Sequence, residues 1–172
     1  MMKNIFKFLA VSLLLVGFAS CEKEKIGGTA VQDMCGEWYV QVDGVDSNGN
    51  VTMEDPFDMG VFELYTYNTN ADLATEMYID DYGNFWDFRV TVNVDYANKT
   101  FSASNAVDDY NDILVDIVNG KVVKDGATSM AGYTTDAISF MVAFEDDDYR
   151  GEYWDYLWIH GYRRTGLNGG YD

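Results

Sequence analysis

Residues 86–96 read Trp-Asp-Phe-Arg-Val-Thr-Val-Asn-Val-Asp-Tyr and decide the fold class. Large apolar side chains alternate with polar ones throughout this stretch, which predicts a β-strand with one buried face and one face in water. At about 3.3 Å per residue the predicted strand is about 35 Å long, well beyond the usual strand length. A strand of this length favours the wall of a β-barrel.

Similar alternation or short apolar runs predict further strands elsewhere in the chain, and turn residues separate most of them. The Asn119-Gly120 pair predicts a tight hairpin, because a type I′ turn needs positive φ at both central residues. Short connections favour an up-and-down antiparallel order, and closure removes exposed edges. We therefore predict an all-β, up-and-down antiparallel β-barrel of about eight strands, with a two-sheet sandwich as the alternative. The additional predicted strands cover residues 38–42, 61–65, 73–80, 99–104, 113–118, 121–125, 137–145 and 155–164.

The first 20 residues have the features of an export signal. Lys3 and Lys7 precede an apolar run over residues 8–16, which is too short to span a bilayer. The sequence Phe18-Ala19-Ser20-Cys21 resembles the lipobox of bacterial lipoproteins, although Phe18 stands where leucine is usual. The resemblance implies acylation of Cys21 and a lipid anchor, with simple secretion as the alternative.

The domain organisation follows from this start. We expect a signal peptide over residues 1–20, a tether from acylated Cys21 over 21–33, one barrel domain over 34–166 and a tail over 167–172. The expected location is the cell envelope, at the outer membrane, with the protein bound to the membrane through its lipid anchor.

Charge and cysteine content exclude several classes of function. The chain carries 29 acidic and 11 basic residues, a net charge of −18, which excludes nucleic acid as a partner. Acylation of Cys21 would leave Cys35 as the single thiol, and with one histidine no zinc site can form. Residues 43–50 contain the oxygen-bearing side chains that calcium prefers, but their spacing is wrong for an EF-hand, so we interpret them as a flexible turn. No metal or cofactor is expected.

Two motifs resemble a known family. Gly36-Glu37-Trp38 matches the Gly-x-Trp motif of lipocalins, and Arg163 or Arg164 stands where lipocalin-like barrels place an arginine against that tryptophan. The ending over residues 161–166 and the segment over 121–126, together with the lipoprotein start, resemble the bacterial family of lipid-binding putative hydrolases. The resemblance covers residues 33–166 and implies a lipocalin-like fold. It also implies a structural latch of Trp38 with Arg163 or Arg164, while Tyr162 stands where the family has a histidine.

The predicted barrel interior contains the candidate ligand contacts. An eight-stranded barrel has room either for its own side chains or for one small ligand. The inward side chains are large and apolar, so a ligand would be a lipid or another small hydrophobic molecule; alternatively, these side chains fill the barrel. The candidates are Trp86, Phe88, Val90, Phe140, Val142 and Phe144.

Catalysis has little support from the residues themselves. His160 is the single histidine and the one candidate base, no Gly-x-Ser-x-Gly nucleophile motif is present, and the acidic run 145–148 is typical of a solvated loop. Hydrolysis of a lipid-like ester is implied by the family resemblance alone. A third possibility is an outer aromatic surface, with Trp154 and Trp158 binding a glycan or a partner protein.

Overall fold

The computed structural model describes residues 27–167, and this part of the chain is all-β apart from one 3₁₀ turn, Gln32–Met34. No helix within these residues is long and apolar enough to cross a bilayer. The strands are β1 (Gly36–Val45), β2 (Val51–Glu54), β3 (Phe62–Tyr67), β4 (Glu76–Asp80), β5 (Arg89–Asp95), β6 (Thr100–Val107), β7 (Leu114–Thr128), β8 (Thr134–Phe144) and β9 (Tyr156–Arg163).

Eight of these strands form a closed antiparallel barrel. From β3 to β9 each strand pairs with the next along the chain, β1 pairs with β3, and β9 returns to pair with β1 from Trp38↔Arg163 to Val45↔Tyr156. The short strand β2 pairs with the end of β1 outside this ring. The predicted fold class is confirmed, and the closed sheet excludes the sandwich.

The barrel interior is filled by apolar side chains from every strand of the ring. Alternate residues of β3 and β5 are buried, as the alternation in the sequence requires, and β8 contributes Ile138, Phe140, Val142 and Phe144. Together with the inward residues of the other strands they form one continuous hydrophobic cluster. The 3₁₀ turn adds Val31 and Met34 to one end of that cluster.

The stretch that predicts the longest strand is only partly a strand. β5 has seven residues and begins at Arg89, and Asp87 has a left-handed φ of 58°. The carboxylate of Asp81 accepts hydrogen bonds from the main-chain N–H groups of Trp86, Asp87 and Phe88. These donors are thereby taken from the β-ladder, so the prediction of a strand over residues 86–96 is wrong at its start.

The predicted hairpin at Asn119-Gly120 is also wrong, because β7 runs continuously through it. Asn119 has a φ of 55°, and the register with β8 shifts between Val118 and Lys121, which is a β-bulge. A Cβ at Gly120 would overlap the ring of Phe101. A second register shift lies between Val123 and Ala127, around Asp125-Gly126. Bulges and tight turns need the same left-handed residues, so the local sequence does not distinguish them.

The strand β2 was not predicted. The strands predicted on either side of it are residues 38–42 and 61–65, and the connection between them contains Pro56. The four residues of β2 are all exposed, so the strand has no alternation of buried and exposed positions by which the sequence could predict it.

The two ends of the barrel differ. At the closed end, residues 27–35 and the connections 68–75, 96–99 and 129–133 meet. At the opposite end, which we call the mouth, lie the connections 46–61, 81–88, 108–113 and 145–155. The mouth connections are the longer set, which makes this end the place to look for a ligand site.

Gly161 offers a test of barrel closure. A Cβ at this position would overlap the carbonyl oxygen of Tyr39 and come within 2.7 Å of Val40 Cα, so β9 could not approach β1 as it does. We expect Gly161→Ala to lower the free energy of unfolding, measured by urea denaturation, by about 2 to 3 kcal/mol. Gly27→Ala is the control, since no atom lies within 4 Å of its Cβ position. Equal stability of the two variants would contradict the assigned β1–β9 contact.

Candidate functional site

The closed end is held by Arg163 and Trp38. Trp38 is 1% exposed, and the guanidinium carbon of Arg163 lies 4.6 Å from the centroid of its ring. The guanidinium donates hydrogen bonds to the carbonyl oxygens of Asp33, at 2.7 Å, and of Cys35. Its Nε lies 3.1 Å from an oxygen of Asp136 without a directed hydrogen bond, so this contact is mainly electrostatic. Arg163 therefore joins the last strand to the segment that enters the barrel.

Trp38 is bonded to the same segment from inside. Its indole Nε1 donates to Thr66 Oγ1 at 2.8 Å, and that hydroxyl donates to the carbonyl oxygen of Met34 at 2.6 Å. Arg164, the other arginine of the predicted latch, points away and forms an ion pair with Glu37 at the surface. The structure thus places Arg163, and not Arg164, against Trp38.

Cys35 is the single cysteine among the described residues. Cys35 is half-buried at the closed end, its thiol lies 3.3 Å from the carbonyl oxygen of Val31, and burial raises the pKa of this thiol. Such a thiol is protonated at neutral pH and reacts slowly. Cys21, the predicted lipidation site, lies outside the described residues.

The six predicted ligand contacts lie together, but they are packed against one another. Phe88, Val90, Phe140, Val142 and Phe144 are 0 to 1% exposed and belong to the single core cluster. Trp86 is partly exposed and stacks on Phe144, with centroids 4.6 Å apart and an angle of 3° between the rings. These residues therefore fill the barrel up to the mouth.

Phe57 packs against the aromatic residues at the mouth of the barrel. Its ring makes edge-to-face contacts with Phe85 at 5.5 Å, Trp86 at 5.8 Å and Trp154 at 5.7 Å. Each contact of this geometry adds about 0.5 to 1.5 kcal/mol beyond the area buried. The mouth is thus an aromatic cluster that continues the core outwards.

Aspartate carboxylates shape the connections around this cluster. Asp81 is fully buried and accepts five main-chain N–H groups of the 81–88 connection at 2.7 to 3.0 Å. Asp108, also buried, accepts the N–H groups of Arg89 at 2.8 Å and Asn111 at 2.9 Å. Carboxylates that accept several N–H groups fix a loop in one conformation.

The segment between β1 and β3 uses the same device twice. Asp55 accepts the N–H groups of Met59 and Gly60, both at 2.9 Å. Asp46 accepts those of Asn48 at 2.9 Å and Asn50 at 2.8 Å within the calcium-like stretch. Among the described residues no three His, Cys, Asp or Glu side chains are grouped to hold a metal ion. This role of the aspartates was not predicted, although aspartate followed two residues later by glycine or asparagine is the signature of an Asx-turn.

A pocket of about 300 Å³ lies beside Phe57 at the mouth. The indole of Trp154 is 5% exposed and donates its Nε1 hydrogen to Asp147 at 2.8 Å. Thr52 of β2 donates to the carbonyl oxygen of Tyr153 at 2.9 Å and so joins the extra strand to the last mouth connection. This site was not predicted from the sequence, because its residues come from two separate segments, 53–57 and 149–154. Its lining consists of Met53, Pro56, Phe57, Tyr149, Tyr153 and Trp154.

His160 lies far from this pocket, on the outer face of the barrel wall. Its Nε2 is 3.0 Å from Asp43 Oδ2, and its ring stacks on Trp158 with centroids 4.0 Å apart. Ser139 stands opposite His160 in the β8–β9 register. The side chains of Ser139, Trp158 and His160 line a shallow groove of about 530 Å³ on the outer wall. Ser139 and His160 share no hydrogen bond in the part of the chain that the structure describes. A nucleophile and base are therefore not assembled here.

The predicted aromatic surface is divided between two places. Trp154 is buried at the mouth, while Trp158 is half-buried on the outer wall. They belong to different pockets and form no common surface for a glycan. The acidic run 145–148 lies in a mouth connection, and two of its members, Asp146 and Asp147, accept the indole hydrogens of Trp86 and Trp154.

A closed antiparallel barrel, latched by tryptophan and arginine at one end and carrying an apolar pocket at the other, defines a lipocalin-like protein. The chain belongs to the family described as lipid-binding putative hydrolase, whose model matches residues 23–168. The family resemblance inferred from the sequence is thereby confirmed. No curated protein matches the chain.

The latch gives a matched pair of variants. Arg163→Lys removes the guanidinium from Trp38 and the two main-chain carbonyl groups, and a lysine ammonium cannot span both. We expect it to lower the free energy of unfolding by about 2 kcal/mol. Arg164→Lys, which alters an exposed ion pair, should change it by less than about 0.5 kcal/mol. Urea denaturation followed by tryptophan fluorescence measures both, and equal losses would argue against the latch.

Proposed function

We propose that this protein binds a lipid or another small hydrophobic molecule at the mouth of its barrel, outside the cytoplasm, while it is held at a membrane by an acylated Cys21. The observation that carries the binding proposal is the apolar mouth pocket. The family supports the same class of ligand.

The lining of the pocket includes large apolar and aromatic side chains that are exposed to water. Met53 is 38% exposed, Tyr149 54% and Tyr153 47%, and they adjoin one another around the buried indole of Trp154. Contiguous apolar side chains of this kind mark binding sites, and the pocket volume is at the lower end of the range for small-molecule sites. A ligand that covers these side chains gains the free energy of removing them from water.

We propose the mouth as the binding site because the barrel interior is already packed with side chains. Phe88, Phe140 and Phe144 are at most 1% exposed and would have to be displaced by a ligand deeper in the barrel. Overpacking a core of this kind costs about 1 to 3 kcal/mol per group. A ligand in the mouth pocket needs no such displacement, and the packed aromatic cluster serves as its floor.

The proposal contains no hydrolytic step. Ser139 and His160 are on the outer wall, they are not hydrogen bonded to each other, and they line a groove separate from the mouth pocket. The proposed location is the cell envelope, at the outer membrane. It is supported by the charged start at Lys3 and Lys7, the short apolar run and the residues before Cys21.

Met53 tests the binding site. Met53→Gln keeps the length of the side chain but puts an amide against the ligand, which costs about 1 to 3 kcal/mol when it lacks a partner. We expect lipid binding at least about fivefold weaker, measured by native mass spectrometry of the purified protein with a lipid extract. Leu73→Gln is the control, because Leu73 is also an exposed apolar side chain but lies at the closed end. Unchanged lipid adducts in Met53→Gln would refute the mouth site, and no adduct with any variant would refute lipid binding.

Cys21 tests the anchor. We expect Cys21→Ser to move the protein from the membrane to the soluble fraction of the producing cell and to abolish the mass added by acyl chains. Cys35→Ser, which replaces the half-buried thiol, should remain with the membrane. If both variants fractionate as the unaltered protein does, the anchor proposal is wrong.

A further inference from the structure

The acidic residues of the barrel connections are concentrated at the mouth. The four mouth connections contain fifteen of the 29 acidic residues of the chain and one of its 11 basic residues, Arg150. The three connections at the closed end contain one acidic residue, Asp72, and one basic residue, Lys99. A pocket surrounded by charge of one sign attracts ligands of the opposite sign and repels those of the same sign.

Arg150, the single basic residue of the mouth connections, does not line the apolar pocket. Arg150 donates from Nε to the carbonyl oxygen of Asp155 at 3.1 Å, and its guanidinium carbon lies 5.5 Å from the ring centroid of Tyr156. It lines a neighbouring depression and not the apolar pocket. An anionic group in the pocket would therefore meet carboxylates around it and no opposing cation from its lining.

Aromatic rings form the walls of the pocket. The ring centroids of Tyr149, Tyr153 and Trp154 lie 5.9 to 6.2 Å from one another, and the rings are inclined by 46° to 65°. Phe57 also contacts Trp154, with an angle of 68° between the rings. Tryptophan and tyrosine are the rings that attract cations most strongly through their faces.

The hydrogen-bonding groups of the lining select among cations. The lining side chains have three nitrogen or oxygen atoms, namely two tyrosine hydroxyls and the indole nitrogen, and the indole already donates to Asp147. A primary ammonium has three N–H groups to satisfy, and two hydroxyls cannot replace its hydration. A quaternary ammonium has no N–H group, and its methyl groups pack directly on aromatic rings.

We propose that the mouth pocket receives a quaternary ammonium group, the trimethylammonium of a choline-type molecule, against the aromatic surface of Tyr149, Tyr153 and Trp154, with the acidic connections supplying the attractive field. This inference rests on the proposed function and specifies the polar part of its ligand. The same chemistry could come from a choline lipid headgroup or from free choline, and the test separates these sources.

The test compares three probes by isothermal titration of the purified protein. They are dihexanoyl phosphatidylcholine and dihexanoyl phosphatidylglycerol, both below their critical micelle concentrations, and choline chloride. We expect the phosphatidylcholine to bind at least tenfold more tightly than the phosphatidylglycerol, and choline to compete with it. Equal binding of both lipids without competition by choline would overturn the ammonium inference and leave the lipid-binding proposal intact. No binding by any probe would overturn both.

The source of the ammonium group follows from the third probe. If choline alone binds as tightly as the phosphatidylcholine, the ammonium inference holds and the lipid is excluded as the required ligand. If choline binds at least tenfold more weakly than the phosphatidylcholine but still competes, the lipid headgroup is supported.

Variants of Tyr149 separate the ring from general packing. Tyr149→Leu keeps an apolar side chain but loses the ring, so we expect affinity for phosphatidylcholine to fall about fivefold, whereas Tyr149→Phe should keep it within about twofold. Both act on a side chain that is 54% exposed, so folding should be unaffected. Tyr133→Leu, at the closed end, is the matched control. Equal affinity of Tyr149→Leu and Tyr149→Phe would contradict a role for the ring.

Discussion

The pairing of β9 with β1 is the contact on which the rest of the molecule depends. It extends from Trp38↔Arg163 to Val45↔Tyr156 and turns a meander of strands into a closed wall. The two strands approach so closely at Gly161 that a Cβ would meet the main chain of Tyr39 and Val40. The same pairing carries Arg163 over Trp38, so one strand, β9, closes both the wall of the barrel and its closed end.

Several of the acidic residues stabilise the fold through hydrogen bonds in addition to giving the surface its negative charge. Asp55, Asp81 and Asp108 use their carboxylates to hold main-chain N–H groups, which gives the mouth connections a fixed form without regular structure. Asp147 does the same for the indole of Trp154. Because these carboxylates surround the opening, the residues that give the mouth its shape also give it a negative field. Shape and charge of the proposed site therefore have one origin.

The barrel was predictable from the sequence because strands such as β3 and β5 have one face in water and keep the alternation that burial imposes. The Trp38 and Arg163 contact was predictable only through resemblance, since the two residues are 125 positions apart. The local sequence did not distinguish a hairpin turn from a β-bulge, because both need a left-handed residue. Asn119 has the backbone conformation of a hairpin residue but forms a bulge. The mouth pocket was not predictable, because Met53, Phe57 and Trp154 come together only after closure and β2 has no buried face.

The extra strand β2 also affects how the folded protein meets other copies of itself. Within the described residues β2 pairs with β1 alone, so it supplies the free edge of an otherwise closed sheet. Free edges promote aggregation by pairing with strands of other molecules. This edge is four residues long, ends in Glu54 and is followed by Asp55 with a φ of 36° and by Pro56, which has no N–H to donate. The strand that builds one wall of the pocket is therefore too short and too charged to recruit a neighbouring chain.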